Sequence, residues 1–461
     1  MGWSSKRTHC RQTTGFFWLR QVRPPALSTP MDILFFADNF PPEKNAAASR
    51  VYERACYWVR WGHRVTVLTS APNFPEGKLY PGYQNRWYHV EETSGIRVVR
   101  VKTFIAANTG TITRVIDFLS YMLAAFLAGL FQKRPSVVVA TSPQFFAAVA
   151  GWALSRVKHV PFVFELSDLW PDSIVAVGAM KKSRVLKWVE KLELFLYRQS
   201  AAVVALTAAF KRNLIQRGIA GSKITVVING VDLGKFQPRP KDLALAEEWG
   251  ITPEQFVVSY IGTHGMAHGL ENVLACAQIV DRQDIRFVFV GAGAEREKLL
   301  EESETRGLRN VTFVPSQPKE KMPGFWSITD VALVHLKNTP VFATVIPSKI
   351  FEAMGMGLPV LLVSPKGEAS HIIEREGNGI CVDAEDPQAL AHAITLLHNN
   401  RAMLARFGQN SRSAAPRYSR ERQAREMLTV LESVVIGRRA AEETVPTQAA
   451  IAVTRTESAN K

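Results

Sequence analysis

The sequence is poor in cysteine, with only Cys10, Cys56, Cys276 and Cys381 among its 461 residues. They are far apart and form no C-x-x-C pair, which argues against both a zinc site and a disulfide framework. This cysteine usage fits a reducing cytoplasm. The chain also has no Asp-x-Asp motif, which removes one simple acidic signature of a metal site.

Long hydrophobic runs are also missing, because no segment reaches 18 consecutive apolar residues, and we predict no transmembrane helix. The segment that comes nearest is Val115–Phe131, which Asp117 and Ser120 interrupt. Two interpretations of it stay open. It is either a buried packing helix or an interfacial helix that docks on a membrane.

Acidic residues are absent from residues 1–30, and the apolar run at 15–19 is too short for the hydrophobic core of a signal peptide. Met31 is followed at once by the strand-like DILFFA. We therefore expect residues 1–30 to be a disordered leader or a mis-assigned start, with Met31 as the natural first residue.

The overall composition is that of a globular protein, with 47% hydrophobic and 21% charged residues. Its length suits two domains better than one. A net charge of +15 favours acidic partners such as nucleic acid, anionic lipid or phosphorylated ligands. Because no basic–aromatic repeat of an RNA-binding module is present, we favour lipid or phosphate and expect no nucleic acid.

Strand and helix patterns alternate from residue 33 onwards. A strand at 33–37, a helix at 51–61 and a strand at 65–69 form a βαβ pattern, typical of a parallel sheet that binds ligands at the carboxyl ends of its strands. Arg50, at the end of the first such loop, is either a phosphate or acceptor contact or a helix-surface charge. The loop at 73–83, NFPEGKLYPGY, is long and aromatic, which is typical of a functional loop.

Residues 342–360, FATVIPSKIFEAMGMGLPV, predict a loop, a short helix over 350–354 and a buried strand. We expect the Ser348 hydroxyl to cap the helix. A helix start with Lys349 suits a phosphate, and the carboxylate of Glu352 can accept bonds from two sugar hydroxyls. These features predict a nucleotide-sugar site, whereas the plainer interpretation is a solvated pair at a helix end.

Two glycine-rich turns follow predicted strands in the second half. In GTHGMAHG at 262–269, backbone N–H groups can approach a diphosphate beside a helix start. The turn GAGAE at 291–295 is only weak evidence for NAD, because Arg296 occupies the third glycine position of G-x-G-x-x-G. The predicted ligand contacts in these turns are Gly262, His264, Gly265, His268, Gly269, Gly291 and Gly293, although a lone histidine such as His264 is usually a bystander.

Several of these motifs, in this order, resemble the retaining family-4 glycosyltransferases. Residues 342–360 are similar to the E-x7-E region of that family, whose second Glu binds the donor ribose and falls on Glu352. The first Glu, which usually contacts the donor sugar, is replaced here by Thr344. A subgroup of the family that makes bacterial surface polysaccharides has a similar Pro-Ser-Lys before Phe-Glu. Within it, the chain most resembles the amino-sugar (fucosamine-type) transferases of O-antigen synthesis.

The resemblance implies further contacts. Asp168, after the predicted strand at 162–166, stands where the family has a polar group facing the donor sugar, although it could instead cap the next turn. There it would orient a hydroxyl or stabilise positive charge at the anomeric carbon. Glu165 points the other way by strand alternation. His268 occupies the place of a family Lys, and Ser316 lies where the family holds the base.

The resemblance also implies an α/β GT-B fold, with two Rossmann-like doubly wound domains that face each other across a cleft. The expected parts are a leader at 1–30, an acceptor-side domain at 31–236, a nucleotide-sugar domain at 237–416, a helix at 417–437 that crosses back to the first domain, and a disordered tail at 438–461.

The implied activity is transfer of a sugar with retention, without metal or other cofactor, from a nucleotide-diphosphate sugar, with a UDP-linked amino sugar expected. The acceptor would be polyprenyl-diphosphate-linked or similar, at the anionic inner face of the cytoplasmic membrane. Two alternatives stay open. One is a GT-B UDP-sugar 2-epimerase, which needs no membrane, and the other is a non-catalytic subunit marked by Thr344, against which Lys349 and Glu352 argue.

Overall fold

The computed structural model describes residues 29–443 except 44, 75, 106–110, 143–144 and 170–183. The chain divides into two units, residues 1–30 and 31–461, and the fold described below belongs to the second. The predicted leader up to residue 28 and the tail from residue 444 therefore lie outside the described residues.

The first half of the fold is built on an eight-stranded sheet in the order β3-β4-β2-β1-β5-β6-β7-β8. All neighbouring strands are parallel except β3 and β4. Most of the parallel strands are apolar runs buried on both faces, as expected when helices cover both sides of a sheet. The strands are β1 Asp32–Phe36, β2 Arg64–Ser70, β3 Tyr88–Thr93, β4 Ile96–Val101, β5 Val137–Thr141, β6 Phe162–Leu166, β7 Ala202–Ala205 and β8 Ile224–Val226.

Five described helices accompany this sheet. They are α1 Ala46–Arg60, α2 Thr111–Leu130, α3 Phe145–Val157, α4 Arg184–Gln199 and α5 Ala208–Gln216. These helices lie on both faces of the sheet, as the alternating side chains of β1 show. Leu34 and Phe36 join the core under α2 and α3, whereas Phe35 on the other face contacts Trp58 of α1. Helix α1 begins at Ala46, earlier than predicted, because the Asn45 side chain accepts a bond from the Ala48 N–H at 2.8 Å.

The second half contains a parallel six-stranded sheet in the order β11-β10-β9-β12-β13-β14. Its strands are β9 Phe256–Ile261, β10 Ile285–Val290, β11 Val311–Val314, β12 Val331–His335, β13 Val360–Val363 and β14 Gly379–Val382. Its helices are α6 Leu243–Glu248, α7 Glu271–Val280, α8 Arg296–Thr305, α9 Met322–Ser327, α10 Lys349–Met356, α11 Glu368–Glu376, α12 Pro387–Asn399 and α13 Arg401–Ala414. Two Rossmann-like halves are thus confirmed.

The last helix, α14 Arg420–Glu443, crosses back to the first half as predicted. The Trp58 indole N–H donates to the Ala424 carbonyl at 2.9 Å, and the Arg425 guanidinium lies 4.9 Å from the Trp61 ring centroid. The predicted start of the disordered tail at residue 438 is wrong. The helix continues through residues 438–443, RRAAEE, because most of these are good helix formers.

Strand β3 is absent from the predicted elements. It is a short, half-exposed edge strand whose residues are mostly polar, and it therefore lacks the apolar run that marks the other strands. It reaches β4 through a tight turn in which Ser94 and Gly95 have φ of 52° and 77°. A Gly in that conformation fits a hairpin turn without strain.

Helix α2 is buried on one face and exposed on the other. Tyr121 and Ala125 are fully buried against the sheet, so the packing interpretation holds for the inner face. Its outer face presents several exposed leucines. Within the described part of the chain, no helix combines the length and apolar character that crossing a bilayer requires.

Candidate active site

Helix α10 begins at Lys349, directly after Ser348, and ends at Gly357 with a φ of 72°. The predicted hydroxyl cap is wrong, because the Ser348 side chain makes no capping bond. Ser348 itself has helical torsions, with φ −62° and ψ −25°, whereas a capping side chain normally needs an extended backbone to reach the first turn. The start of the helix thus carries Lys349 without a serine cap.

The Lys349 ammonium is buried and has no hydrogen-bond partner among the described residues. It lies 3.6 Å from the centroid of the Tyr260 ring, a cation–π contact. A Cβ on Gly262 would be only 2.9 Å from Nζ, so the ammonium lies directly against the first glycine turn. Burial lowers the pKa of Lys349 to about 7, although the charge of Glu352 opposes that shift.

The half-buried Glu352 follows Lys349 by one helical turn. Its Oε2 accepts a hydrogen bond from the Trp326 indole N–H at 3.1 Å, which fixes the carboxylate. No described residue bonds Oε1, which leaves that oxygen available to hydroxyl donors. Burial raises the pKa of Glu352, while the Trp326 bond and the Lys319 charge lower it.

The two glycine turns pack backbone against backbone. The Gly262 N–H donates to Val290 at 2.9 Å, and the His264 N–H donates to Ala292 at 2.9 Å. A Cβ on Gly291 would lie 1.9 Å from the Gly262 carbonyl oxygen, and one on Gly293 would lie 2.3 Å from that of His264. The second turn therefore requires glycine because it supports the first.

The two histidines of the first turn are uncharged at neutral pH. Burial lowers the pKa of His264 to about 4 and that of His268 to about 3. The Gly265 carbonyl accepts from the His268 N–H at 2.9 Å, and Gly269 has a left-handed φ of 54°. The one N–H of a neutral His268 lies on Nδ1, 3.4 Å from the His335 carbonyl that accepts it, so His268 as a phosphate contact stays a prediction that would require this bond to be exchanged.

Two further predicted contacts lie in loops of the second half. The Thr344 hydroxyl donates to the Val341 carbonyl at 2.6 Å, and its own carbonyl accepts from the Thr207 hydroxyl of the first half at 2.9 Å. Thr344 therefore links the halves and offers no charge in place of the family Glu. Ser316 is exposed in the loop after β11, and its contact with the base stays a prediction.

On the first sheet, Glu165 is a structural residue and not a ligand contact. It is fully buried, and both its oxygens accept bonds from Arg54 at 2.7 Å. Although burial raises it, the charges of Arg54 and Arg50 bring the pKa of Glu165 down to about 2. The Glu165 carboxylate is thus occupied by the two arginines.

Arg50 and Asp168 lie together near that ion pair. Arg50 is only 5% exposed, so the helix-surface interpretation is wrong. Its Nε is 3.4 Å from Glu165 Oε1, and its NH2 group donates to the Ser167 hydroxyl. Burial raises the pKa of Asp168 to about 6, with Arg50 lowering it in part. Asp168 is therefore a half-buried carboxylate at the carboxyl end of β6 whose charge Arg50 supports.

An ion cluster that the sequence did not predict joins the two halves beside Glu352. Glu53 of α1 accepts from Lys319 Nζ at 2.6 Å and from Arg420 Nε at 2.9 Å. Glu53 and Lys319 both act on the pKa of Glu352, which places this cluster near the site. Lys319 and Arg420 are 266 and 367 residues away from Glu53 in the sequence, so no local pattern connects the three.

The loops after β1 and β2 are held together by one buried carboxylate, Glu43. It accepts from the backbone N–H groups of Phe40 at 3.2 Å, Asn73 at 2.9 Å and Phe74 at 2.9 Å. The loop at 73–83 is thus anchored at its start. Across the described ranges no group of three or more His, Cys, Asp or Glu could hold a metal ion.

Two α/β sheets and a C-terminal helix that returns to the first sheet are the architecture of the GT-B class of glycosyltransferases. The site adds a lysine and a glutamate at a helix start beside a glycine turn. Models of known families agree. Residues 45–230 match the glycosyl transferase 4-like domain, and residues 242–414 match glycosyl transferases group 1. The chain belongs to the group 1 glycosyltransferases, the retaining family 4, which use nucleotide-sugar donors.

Curated relatives are distant. The putative colanic acid biosynthesis glycosyl transferase WcaI of Escherichia coli is 25% identical over 374 residues, covering 79% of this chain and 91% of the relative. The probable glycosyltransferase WbjE of Pseudomonas aeruginosa is 25% identical over 238 residues, covering 50% of this chain and 58% of the relative.

Solved structures confirm the fold. Sucrose-phosphate synthase from Thermosynechococcus elongatus superposes with a TM-score of 0.71 at 17% identity, covering 88% of this chain and 99% of the other. HepE of Anabaena, solved in complex with UDP-glucose, superposes with a TM-score of 0.64 at 18% identity, covering 89% of this chain and 100% of HepE. At these identities the likeness concerns the fold alone.

Proposed function

We propose that this protein transfers an amino sugar from a UDP-linked donor to a polyprenyl-diphosphate-linked or similar lipid-carried acceptor during cell-surface polysaccharide synthesis. The reaction would take place at the inner face of the cytoplasmic membrane. In this proposal the turn at 262–269 and Lys349 receive the diphosphate, Glu352 receives the ribose and the loop of Ser316 receives the base. Thr344 and Asp168 lie on the side of the donor sugar.

The observation that carries the proposal is the unpaired Lys349 ammonium. Burying a cation without a hydrogen-bond partner costs free energy, which lowers the pKa of Lys349 to about 7, and a bound anion would offset that cost and favour the charged form. His264 and His268 are neutral, so the positive charge at the glycine turns comes from Lys349, which lies against Gly262, and from Arg296, which donates to the Gly291 carbonyl. A cation fixed there in advance would stabilise the charge that develops on a departing nucleoside diphosphate.

The Glu352 carboxylate completes the donor site of the proposal. Because Trp326 already holds one oxygen, the other can accept bonds from ribose hydroxyls without a change of side-chain conformation. Asp168, supported by Arg50, would supply negative charge on the opposite side, where the anomeric carbon becomes positive during transfer.

The names of two similar proteins support the choice of nucleotide and pathway class. HepE was solved with UDP and UDP-glucose, and WcaI is named for colanic acid biosynthesis. Both likenesses are distant, so UDP and a surface polysaccharide enter here as parts of the proposal.

Glu352→Gln tests the donor site through thermal unfolding with UDP, GDP, ADP and NAD. For the wild type, UDP at 100 times its dissociation constant should add about 2.7 kcal/mol to the unfolding free energy. The variant keeps an acceptor for Trp326 but loses the charged acceptor for ribose, so we expect a UDP affinity lower by roughly 10- to 100-fold. The same UDP concentration should then add about 0.4 kcal/mol at the weaker limit.

The exposed Glu297 provides the matched control, since Glu297→Gln removes the same charge elsewhere and should leave the UDP response intact. Stabilisation by NAD alone, or an unchanged UDP response in Glu352→Gln, would contradict the donor site.

The charge on Asp168 gives a pH prediction. Its pKa of about 6 lies above the ordinary value of 3.8, so the carboxylate that the proposal requires is lost as the pH falls through 6. We expect log kcat to fall with a slope approaching one below that pH. Asp168→Asn should lower kcat and remove this dependence. A wild-type profile that stays flat from pH 7 to pH 5 would exclude an ionised Asp168 from the reaction.

A further inference from the structure

The outer face of α2 is an exposed apolar ridge. Its side chains recur every three or four residues, a spacing that places them on one side of a helix. Leu123 is 58% exposed and Leu127 47% exposed. Exposed apolar patches of this kind are uncommon on monomers without an interaction partner. The ridge consists of Ile116, Leu119, Leu123, Leu127 and Leu130.

The inner face of α2 fixes the orientation of this ridge. The Tyr121 hydroxyl donates to the Leu68 carbonyl of β2 at 2.8 Å, and Ala125 and Ala128 are buried in the core. A rotation of the helix would break that packing. The leucines therefore face outward as a consequence of the fold.

Helix α4 extends the apolar surface on the other side of α3. Phe118 of α2 meets Phe146 of α3 at 6.4 Å between ring centroids, and Trp152 of α3 meets Phe195 of α4 at 5.1 Å. The three helices thus form one layer. Trp188 of α4 is 72% exposed, and Leu192 is exposed one turn further on.

Basic and aromatic side chains border this surface. Lys191 lies 5.2 Å from the Trp188 ring centroid, and Lys102 lies 4.6 Å from that of the exposed Trp87. Exposed tryptophan with lysine at the edge of an apolar helix face is typical of proteins that lie in the membrane interface. The exposed basic residues around it, which would meet anionic headgroups, are Lys102, Lys133, Arg134, Lys187, Lys191 and Arg198.

The topology brings one end of this surface to the side of the first sheet where the parallel strands end and where the candidate site lies. Helix α2 follows β4, so its first turns lie near the carboxyl ends of the parallel strands. The exposed Phe104 lies there too, with its N–H bound to the Ser120 hydroxyl at 2.7 Å. Asp168 follows β6 at the same edge. A bilayer that touched α2 would present its headgroups at the side of the cleft.

We propose that the outer faces of α2 and α4 form a docking surface for a bilayer rich in anionic phospholipid. The leucines and Trp188 enter the boundary between headgroups and acyl chains, and the surrounding lysines and arginines contact the headgroups. The occupant is a lipid surface and not another protein, because apolar, aromatic and basic groups are combined as headgroups and acyl chains require. The proposal deepens the proposed function, since a lipid-carried acceptor would then reach the cleft from this side.

Vesicle sedimentation tests the surface with the full chain. Vesicles of phosphatidylglycerol and phosphatidylethanolamine should bind the wild type, whereas phosphatidylcholine vesicles should bind it more weakly because the basic groups lose their partners. Leu123→Ser/Leu127→Ser should lower the partition coefficient roughly tenfold or more, since two large apolar side chains no longer leave water. Added salt should weaken binding of both proteins to anionic vesicles.

The matched control is Leu243→Ser/Ile279→Ser, which removes two side chains of similar exposure, 58% and 49%, from the other half of the fold. It should bind vesicles as the wild type does. Equal partitioning of the two double variants would overturn the docking surface. A loss of self-association in Leu123→Ser/Leu127→Ser, without wild-type vesicle binding, would identify a second copy of the chain as the occupant instead.

A UDP thermal shift on the same variants separates this proposal from the donor site. Leu123→Ser/Leu127→Ser should retain the full response to UDP, because α2 holds no proposed donor contact. Lost vesicle binding with an intact UDP response supports the surface, and an absent UDP response in the wild type would contradict only the proposed donor.

Discussion

Replacing Lys349 by methionine should lower kcat for sugar transfer by about 100-fold or more without lowering the unfolding free energy. Activity should fall because the variant removes the buried cation beside Gly262 that would meet the departing diphosphate. Stability should be unchanged or slightly higher, because the ammonium has no hydrogen-bond partner among the described residues and methionine removes a desolvated charge. The linear methionine side chain still reaches the Tyr260 ring.

The combination of lost activity with retained stability separates a functional lysine from a structural one. Kinetics with a saturating donor and urea unfolding, measured on the same preparation, provide both quantities. Lys298→Met is the control, because that side chain is 66% exposed and lies outside the proposed donor contacts. If Lys349→Met kept full activity, the diphosphate would have to be neutralised by other groups and the proposed site would be wrong.

Glu165→Leu should lower the unfolding free energy by about 3–5 kcal/mol, the largest stability change that we expect. Glu165 is fully buried and is the partner of Arg54, while Arg50 lies 3.4 Å from the same carboxylate. Removing it leaves two guanidinium groups in a dry environment without their counter-charge. Urea unfolding at neutral pH measures the effect.

An exposed ion pair serves as the control for Glu165. Asp32→Asn breaks the pair between Asp32 and Arg64, whose side chains are 40% and 72% exposed, and should cost less than about 1 kcal/mol. If Glu165→Leu lowered the unfolding free energy as little as Asp32→Asn does, water would have to reach Arg50 and Arg54.

The pH dependence of stability gives an independent check on Glu165. Its pKa is about 2 in the fold, below the ordinary value of 4.5, so the unfolded chain binds the proton first. The contribution of the carboxylate is therefore present above pH 4.5 and is lost as the pH falls towards 2. Glu165→Leu should remove this part of the acid dependence.

Much of the fold could be predicted because parallel strands are local apolar runs. The strands around Phe35, Val139 and Phe164 are each buried on both faces, and buried strands of that kind are visible in the sequence. The edge strand Tyr88–Thr93 was missed because it is mostly polar and half-exposed. The predicted tail overlaps the helical residues 438–443 because a polar composition fits both a disordered segment and a helix.

The candidate site could be predicted in its positions but not in its chemistry. The sequence places Lys349 and Glu352 at a helix start and glycines after a strand, since these are local features. It gives no sign that Tyr260 lies under the lysine or that Trp326 holds the carboxylate. Both partners come from other elements of the second half.

By itself, the sequence determined two parallel α/β halves, the loops at the carboxyl ends of their strands and the residues that those loops present. Only the tertiary structure decided which of these residues carry charge. Lys349 keeps only part of its charge at neutral pH, with a pKa of about 7, and His268 becomes a neutral ring, because distant elements pack around them and exclude water. Desolvation depends on everything that surrounds a group in space, and a one-dimensional pattern does not contain that information.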